Sequence, residues 1–380
     1  MATGRHRTVL LAMLGMLVPL AGCDDAGRQD PSGSLQSAPV ASGSAAPTTS
    51  TGPPTSGPSL PLATLVPAGS WAQVVTTGPS PAAREDHTMT VGDDGAAWVF
   101  GGRDGSTVFG DLWQFDLVTD SWRERAPAGD VPAARFGHEA VWLPGRGLVV
   151  FAGQAGAEAF FNDLWLYDPT ADRWTLLPAS GSVPIPRYGT CAAIGPDGRL
   201  WISHGFTQDG VRFADTHAYD FAAGTWSDES PLTDGPIQRC LHTCWWRSDG
   251  TFALYGGQTT GVPALGDLWT LTPASGAGKN TWTEVGGDHP APRNLPAVAR
   301  HGQSTIILGG RGTDKTALAD GWQLPDAATL FSPLPIPPDA SPSARWGAAL
   351  IDDPTRDGLV LFGGTDGATA ASDLWTLGWQ

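Results

Sequence analysis

A sixfold repeat of about 50 residues constrains this chain more than any other feature of its sequence. Six times, a short apolar run ends in a Gly-Gly doublet or a near equivalent, with a period of 51 to 54 residues. Such a period is typical of proteins in which each repeat is one supersecondary unit. The six doublets are Gly101-Gly102, Ala152-Gly153, His204-Gly205, Gly256-Gly257, Gly309-Gly310 and Gly363-Gly364.

An arginine before each doublet and an aspartate after it complete the repeat. The aspartate follows the arginine by 27 or 28 residues and leads a short segment that usually contains an aromatic residue two positions later. With 50 Gly and 33 Pro in 380 residues, short strands separated by turns are expected, four to a block. The arginines are Arg84, Arg135, Arg187, Arg239, Arg293 and Arg345, and the aspartates are Asp111, Asp163, Asp215, Asp267, Asp320 and Asp373.

The glycine doublet, the aspartate with its aromatic strand and a trailing tryptophan together resemble the Kelch repeat. The resemblance covers residues 71–380, and it implies an all-β fold, a six-bladed β-propeller of four-stranded Kelch blades. We place this propeller at residues 69–380. One four-stranded sheet cannot bury both of its faces alone, whereas six sheets arranged radially bury them against each other.

The two ends of the repeat region predict how the ring closes. The last block stops before its trailing aromatic strand, while Trp71 stands 13 residues before Arg84, as Trp122 stands before Arg135. We therefore predict that an N-terminal strand around Trp71 is the outermost strand of the last blade. Trp379 follows the preceding aromatic strand too closely to take that place.

The first 23 residues have the pattern of an export signal. Arg5 and Arg7 precede the apolar run Val9–Ala21, which is too short to span a bilayer. The segment that ends at Cys23, Leu-Ala-Gly-Cys, resembles the bacterial lipobox. This resemblance implies a lipoprotein signal peptide at residues 1–23 with lipidation of Cys23, and an ordinary secretory signal is the alternative.

Residues 24–68 are rich in Ser, Thr, Pro, Ala and Gly, and this composition predicts a disordered tether. With two or three acyl chains on Cys23, the protein would be exported and stably anchored to the outer face of the cell membrane by lipid alone. The formal charge of -16 argues against binding to nucleic acid. We expect a monomer.

Three further cysteines, Cys191, Cys240 and Cys244, would reach a compartment in which disulfides persist. Equivalent strands of neighbouring blades face each other with opposite faces, so a bridge between them needs positions of opposite parity. Cys191 and Cys244 meet this condition at nearly equal height, whereas Cys240 and Cys244 lie about 13 Å apart along one strand. We predict a Cys191–Cys244 disulfide, and three buried free thiols are the alternative.

Residues that recur in all six blocks are interpreted as scaffold, because a ligand site at one point of a ring does not need six copies. The arginines and aspartates are therefore predicted to form ion pairs that brace the loops. His87, His138 and His242 follow the arginines of three blocks, and we expect them to pack singly between sheets and not to bind a metal. No motif indicates a cofactor or a catalytic residue.

The loops that enter the innermost strands and those that follow the doublets depart from the repeat, and in Kelch propellers these loops build the ligand face. Aromatic side chains interleaved with amides, acids and arginines suit a protein or a glycan, and ordinary variation among loop residues is the alternative. The candidate residues are Glu85, Asp86, Arg103, Phe136, Gln154, Tyr188, Gln258, Asn294, Arg311, Trp346 and Asp366.

We therefore expect a non-catalytic module that binds a protein or a glycan. A sugar mutarotase or epimerase is the first alternative, because the sialic-acid mutarotase family has a similar Kelch propeller and needs only a placed acid and base. A purely structural component of the envelope is the second. A copper enzyme similar to galactose oxidase is disfavoured, because that family needs a copper site with a cross-linked tyrosine and all four tyrosines stand at repeat positions: Tyr167, Tyr188, Tyr219 and Tyr255.

Overall fold

The six blocks fold into six antiparallel sheets arranged as a ring, which confirms the predicted six-bladed β-propeller. The computed structural model describes residues 66–232, 234–274, 279–337 and 341–379. The predicted signal peptide, the lipidation of Cys23 and most of the predicted tether lie outside these residues. Within the described ranges, no helix has the length and apolar character needed to cross a bilayer.

Each blade runs outward from an innermost strand beside the central axis, and the strands are numbered along the chain. Blade one comprises β2 (Thr88–Val91), β3 (Ala96–Phe100), β4 (Leu112–Asp116) and β5 (Ser121–Arg125). Blade two comprises β6 (Glu139–Leu143), β7 (Gly147–Phe151), β8 (Leu164–Asp168) and β9 (Arg173–Leu176). Blade three comprises β11 (Cys191–Ile194), β12 (Leu200–Phe206), β13 (Arg212–Asp220) and β14 (Thr225–Asp228), with the short β10 (Ser180–Gly181) at its outer edge.

The remaining three blades follow the same plan. Blade four comprises β15 (Thr243–Trp246), β16 (Phe252–Tyr255), β17 (Leu268–Thr272) and β18 (Thr281–Val285). Blade five comprises β19 (Ala297–His301), β20 (Ser304–Leu308), β21 (Gly321–Pro325) and β22 (Ser332–Leu334). Blade six comprises β23 (Ala349–Asp353), β24 (Gly358–Phe362), β25 (Leu374–Gly378) and, outermost, β1 (Trp71–Gln73).

The first strand of the described chain closes the last blade, as predicted. β1 pairs antiparallel with β25, so that Trp71 lies opposite Leu377 and Gln73 opposite Trp375. The Trp71 side chain is buried among apolar residues of blades five and six. Trp379 instead packs against His301, with the ring centroids 4.4 Å apart. This pairing covers an edge strand that would otherwise be free to pair with another chain.

Blade three departs from the four-stranded plan because the chain that enters it runs beside its outer strand. β10 pairs in parallel with β14, as a fifth strand. Gly181 makes this close approach possible, since its φ is +77° and a Cβ there would lie 2.3 Å from the carbonyl oxygen of Trp226.

The recurring arginine and aspartate form the same buried unit in each blade. In blade one, the Arg84 guanidinium donates two hydrogen bonds of 2.8 Å to the Asp111 carboxylate. It also donates to the carbonyl oxygens of Gly101 at 2.9 Å and Ala82 at 3.0 Å. The Trp113 indole donates to the same carboxylate at 2.7 Å. One side chain thus joins the loop before the innermost strand, the doublet and the start of the third strand.

The stability that this arginine–aspartate unit contributes depends on pH. Burial raises the pKa of Asp111, but the hydrogen bonds and charge of Arg84 outweigh burial and hold that pKa below its usual value. In blade three, where His217 takes the place of the tryptophan, the pKa of Asp215 is lowered against burial by Arg187 and His217. Because the folded pKa lies below that of an unfolded aspartate, about 3.9, the pairs stabilise the fold above that pH, and this contribution is lost as the pH falls through the folded pKa.

Replacing one of these arginines tests the unit. Arg135→Met leaves the Asp163 carboxylate without its bidentate partner, and breaking such a pair costs about 3–5 kcal/mol of unfolding free energy. Urea unfolding monitored by tryptophan fluorescence measures the loss. The matched control is Arg123→Met on the exposed face of β5, which we expect to change the unfolding free energy by less than about 0.5 kcal/mol. Equal losses in both variants would contradict the assignment.

The trailing aromatic residue of a blade packs against the blade before it in the ring. Ring centroids lie 5.0 to 5.3 Å apart in four such contacts, a distance typical of favourable aromatic pairs. These contacts hold neighbouring sheets face to face, so that the core lies between blades. The pairs are Trp122 with Phe362, Trp174 with Phe100, Trp226 with Phe151, and Phe331 with Tyr255.

A disulfide joins blades three and four. Cys191 on β11 and Cys244 on β15 have their sulfur atoms 2.09 Å apart and their Cα atoms 5.7 Å apart. The third cysteine of the propeller, Cys240, is buried and lies outside this bond. The bond therefore links the innermost strands of two neighbouring blades near the axis.

Removing the disulfide should destabilise the protein without changing its fold. The two cysteines are 53 residues apart, and in the chain-entropy model a loop of that length is worth about 4 kcal/mol. We expect Cys191→Ser/Cys244→Ser to unfold at lower urea concentration than the oxidised parent, and to match the parent after reduction. Cys240→Ser is the control and should keep the response to reductant. A parent whose unfolding is insensitive to reductant would contradict the expectation.

Candidate functional site

The candidate residues gather at one end of the propeller, which we call the loop face. At the opposite end, tight turns join the innermost and second strands, and we call this end the hairpin face. In every blade, the residue after the arginine forms a backbone bridge with the residue after the doublet. Nine of the eleven candidate residues belong to these bridges. The pairs are Glu85 with Arg103, Phe136 with Gln154, Tyr188 with Phe206, Cys240 with Gln258, Asn294 with Arg311, and Trp346 with Thr365.

A closed ring of six backbone hydrogen bonds lies at the centre of the loop face. The second residue after each arginine donates its N–H to the carbonyl oxygen of the equivalent residue in the preceding blade, at 2.8 to 3.0 Å. The ring narrows the central channel at this end, because it draws all six loops toward the axis. Its members are Asp86, Gly137, Gly189, Leu241, Leu295 and Gly347.

All six members of the ring have left-handed backbone conformations, with φ between +49° and +61°. Three are glycines, and Gly137 has no alternative, because a Cβ there would lie 1.9 Å from the Tyr188 ring. Asp86, Leu241 and Leu295 adopt the same conformation with a side chain, which costs about 1–3 kcal/mol at each position. The hydrogen-bonded ring holds these residues in place against that strain.

An acidic cluster with one arginine lies on the blade one side of the ring. The Arg103 guanidinium is 3.1 Å from the Asp86 carboxylate and 3.3 Å from that of Glu85. It also stacks over the Phe136 ring at 4.3 Å. The Tyr188 hydroxyl donates to Asp86 at 3.3 Å across the ring. These five candidate residues are brought together by the fold, with their charges largely paired among themselves.

The aromatic candidates are buried and do not stand as open platforms. Phe136, Tyr188 and Trp346 are each less than 7% exposed. Tyr188 lies over Gly137, and Trp346 lies beneath Gly367, where a Cβ would be 2.4 Å from the indole. These rings therefore form the floor of the loop face, and a ligand would meet mainly the groups above them.

The polar candidates divide into buried and accessible groups. Asn294 is buried and donates to Gln258 at 3.2 Å and to the Pro263 carbonyl oxygen at 2.7 Å. Gln154 and Arg311 are half-buried, so part of each side chain reaches solvent. Asp366 is exposed, and its carboxylate accepts hydrogen bonds from the backbone of its own loop, which lower its pKa.

Exposed aliphatic residues on blades three and four form a second feature of the loop face, which sequence reasoning missed. Ile185 and Ile237 are 56% and 54% exposed, two residues before their arginines. Val211 and Val262, also exposed, follow the doublets of the same two blades. Two contacts join the loops of Val211, Ile237 and Val262: Arg239 N–H donates to the Phe213 carbonyl oxygen, and Arg212 donates to Thr260 at 2.9 Å. Ile185 stands at the equivalent position of the neighbouring blade three. We call Ile185, Val211, Ile237 and Val262 the aliphatic patch.

The isoleucines break the sixfold symmetry at a position that is exposed in every blade. The arginine of each blade hydrogen-bonds the carbonyl oxygen there. Only in blade six does it also bind the side chain, since Arg345 donates to the Ser343 hydroxyl at 3.1 Å. The Ala and Ile side chains therefore have no part in the buried unit. Comparing the six blocks at this position would have found the signal in the sequence. The residues are Ala82, Ala133, Ile185, Ile237, Ala291 and Ser343.

The three recurring histidines lie between blades, as expected. His87 packs edge-on against Phe362 and His138 against Phe100, each at a centroid distance of 5.2 or 5.3 Å. Burial, then the charge of Arg84, lowers the pKa of His87 to about 3, so the ring is neutral at physiological pH. His242 lies 5.4 Å from a fourth ring, His204. No three or more metal-ligating side chains come together in the part of the chain that the structure describes.

The six innermost strands enclose a central channel of about 670 Å³. At the loop face it is bounded by the hydrogen-bonded ring, and its walls continue to the last residues of the innermost strands at the hairpin face. Glu139, the first residue of β6, lines this channel. Of the eleven candidate residues predicted from the sequence, only Asp86 lines the channel. The repeat pattern does not show which side chains reach the axis.

The sequence matches the model of the KLHDC2/KLHL20/DRC7 Kelch-repeats domain over residues 62–201 and 145–364. Kelch domain-containing protein 3 of Bos taurus is 27% identical over 275 residues, which cover 67% of this chain and 69% of that protein.

Two further relatives are much longer than the segment they share with this chain. Leucine-zipper-like transcriptional regulator 1 of Homo sapiens is 30% identical over 179 residues, 44% of this chain and 21% of that protein. Rho GTPase-activating protein gacHH of Dictyostelium discoideum is 34% identical over 115 residues, 29% of this chain and 7% of that protein. The matched family model covers well over half of the chain and agrees with the observed blades, so this protein belongs to the Kelch-repeat family.

Proposed function

We propose that this propeller is a non-catalytic interaction module that docks a protein partner on blades three and four of the loop face. The observation that carries the proposal is the pair Ile185 and Ile237, exposed where the other four blades have Ala or Ser. Exposed aliphatic side chains grouped on one surface are typical of sites that bind another protein. They favour a protein over a glycan, because a sugar would be held chiefly by aromatic and polar groups, and the candidate rings Phe136, Tyr188 and Trp346 are buried.

The surroundings of the patch suit a protein interface. The half-buried Arg311 and Gln154 and the exposed Asp366 lie on other blades of the loop face, where they offer polar contacts to a partner that covers several blades. The buried arginine units hold the loops in place, so the patch is presented with little loss of conformational entropy on binding.

The test has two steps. A photo-crosslinking amino acid at Val211, in cells that produce the protein, identifies the partner, and calorimetry then measures its affinity for the purified propeller. We expect Ile185→Asp/Ile237→Asp to weaken binding more than tenfold, since each buried isoleucine contributes about 1.5–3 kcal/mol and the carboxylates would be desolvated.

The matched control is Val118→Asp, which changes an exposed aliphatic residue on the hairpin face and should leave the affinity unchanged. Unaltered affinity in the double isoleucine variant would contradict the proposal. A second outcome would also contradict the proposal: on a glycan array, the parent and the double variant bind a sugar with equal strength. Such a ligand would not use the patch.

We also propose that the module is exported and anchored to the outer face of the cell membrane through lipidated Cys23. The lipobox-like segment before Cys23 and the Ser-, Thr- and Pro-rich residues 24–68 support this proposal. A tether of about 45 residues spans roughly 35–40 Å on average, which would let the loop face reach partners away from the bilayer.

Changing the lipidation site tests the anchor. We expect the parent to fractionate with membranes and to carry the mass of added acyl chains, and Cys23→Ser to lose the added mass and the membrane association. Membrane association that persists in Cys23→Ser, with no acyl mass in the parent, would contradict the anchor and leave the docking proposal untouched.

A further inference from the structure

The central channel has the size and shape of a ligand pocket. Its volume of about 670 Å³ lies within the range of pockets that hold small molecules. The hydrogen-bonded ring narrows it at the loop face, and its walls reach Trp142, Ile194 and Trp246 near the hairpin face. A ligand would therefore enter from the end opposite the aliphatic patch.

Glu139 places a carboxylate in this channel without a partner on the neighbouring strands. No hydrogen bond or ion pair joins its side chain to any residue that the structure describes. It occupies the position in blade two that Cys191 occupies in blade three. Cys191 reaches Cys244 in the next blade, and the residue equivalent to Cys244 opposite Glu139 is Ala192, whose methyl group can neither donate nor pair. Burial raises the pKa of Glu139 to about 8.

The other charged groups along the channel are engaged. Asp86 is paired with Arg103, as described for the loop face. Near the hairpin face, Arg300 is paired with Asp326 at 2.7 Å, and Asp352 with His301 at 2.5 Å.

Three histidines also line the channel: His87, His138 and His242. Burial lowers their pKa values, so their imidazoles are neutral. Glu139 is therefore the one carboxylate in the described channel lining that a cation could complement without breaking an existing pair.

Polar and apolar groups share the remaining wall about equally, and the apolar groups include large side chains toward the hairpin face. Gly137 of the hydrogen-bonded ring precedes Glu139 by two residues, about 7 Å, and Trp142 on β6 follows Glu139 by three residues, about 10 Å. Val141, Met89 and Leu350 also line the channel. A ligand with a cationic head near Glu139 would thus have room for an apolar body that extends toward Trp142 and Trp246.

We propose that the central channel binds a small organic cation, a substituted ammonium with an apolar chain, whose charge is held by Glu139. The site is separate from the docking face, so neither the proposed function nor its failure bears on it. The walls that contact the apolar chain come from several blades, and an ammonium group needs no directional hydrogen bonds from them.

The probe is hexyltrimethylammonium, with neutral 1-heptanol as a comparison of similar length, and calorimetry on the purified protein measures both. At pH 9, where Glu139 is ionised, we expect the cation to bind at least tenfold more tightly than the alcohol, and Glu139→Gln to lose at least tenfold of the cation's affinity. Glu124→Gln, an exposed glutamate on β5, is the matched control and should bind as the parent does. Equal binding of cation and alcohol, no binding of the cation at millimolar concentration, or equal affinity in Glu139→Gln would overturn the proposal.

A second measurement separates a charge effect from a change in fold. β2, β7 and β11, the strands around β6, contain no titratable side chain, because Cys191 is in the disulfide. His87 and His138 lie in the loops that enter β2 and β6, and burial keeps both neutral. Because the probe is permanently charged and needs the carboxylate, its affinity should rise as the pH rises from 6 and level off above about pH 8. Glu139→Gln should show no such rise. Ala192→Lys, which supplies an ammonium group from the opposite strand, should abolish probe binding while preserving cooperative unfolding. A flat pH profile in the parent, or full binding in Ala192→Lys, would contradict the role of Glu139.

Discussion

Six buried arginines hold this propeller together. Each guanidinium makes a bidentate pair with an aspartate and also binds the doublet and its own loop, as Arg84 does with Asp111, Gly101 and Ala82. A buried charge persists only when it is paired and hydrogen-bonded, and the planar guanidinium can satisfy several oxygens at once. The arginine therefore sets where the following residues go, and the same placement in six blades brings six backbones close enough to form the ring at the axis.

Because backbone hydrogen bonds and buried ion pairs hold the scaffold, some side chains can differ from blade to blade without altering the fold. At the position of Ile185 and Ile237, these blades' arginines bind the carbonyl oxygen and not the side chain, so the fold accepts Ala, Ser or Ile there. Glu139 is a similar case at the axis, because its backbone pairs with Phe151 within the blade whatever its side chain does. Departures from the repeat at such positions carry information about binding, whereas the repeated residues carry information about stability.

The spacing of the repeats was enough to predict the blades and the closing strand. Because side chains alternate between the two faces of a strand, the sequence also predicted that Cys191 pairs with Cys244, and these two residues are bonded in the structure. The burial of Tyr188 and Trp346 could not be predicted in this way, because it depends on Gly137 and Gly367, which let neighbouring loops close over the rings. Likewise, β10 depends on the close approach that Gly181 permits. These features result from contacts between blocks, and a pattern within one block does not contain them.

The ring of hydrogen bonds also separates the two ends of the molecule. Each of its members donates to one neighbour and accepts from the other, so opening it at one blade would break bonds on both sides while leaving strained residues such as Leu241 and Leu295 without support. A molecule in the channel would therefore be confined to the hairpin side, in contact with the innermost strands of several blades at once. Because it would bind the closed ring of blades and not the unfolded chain, it would stabilise the whole propeller, by an amount that grows with the ratio of its concentration to its Kd.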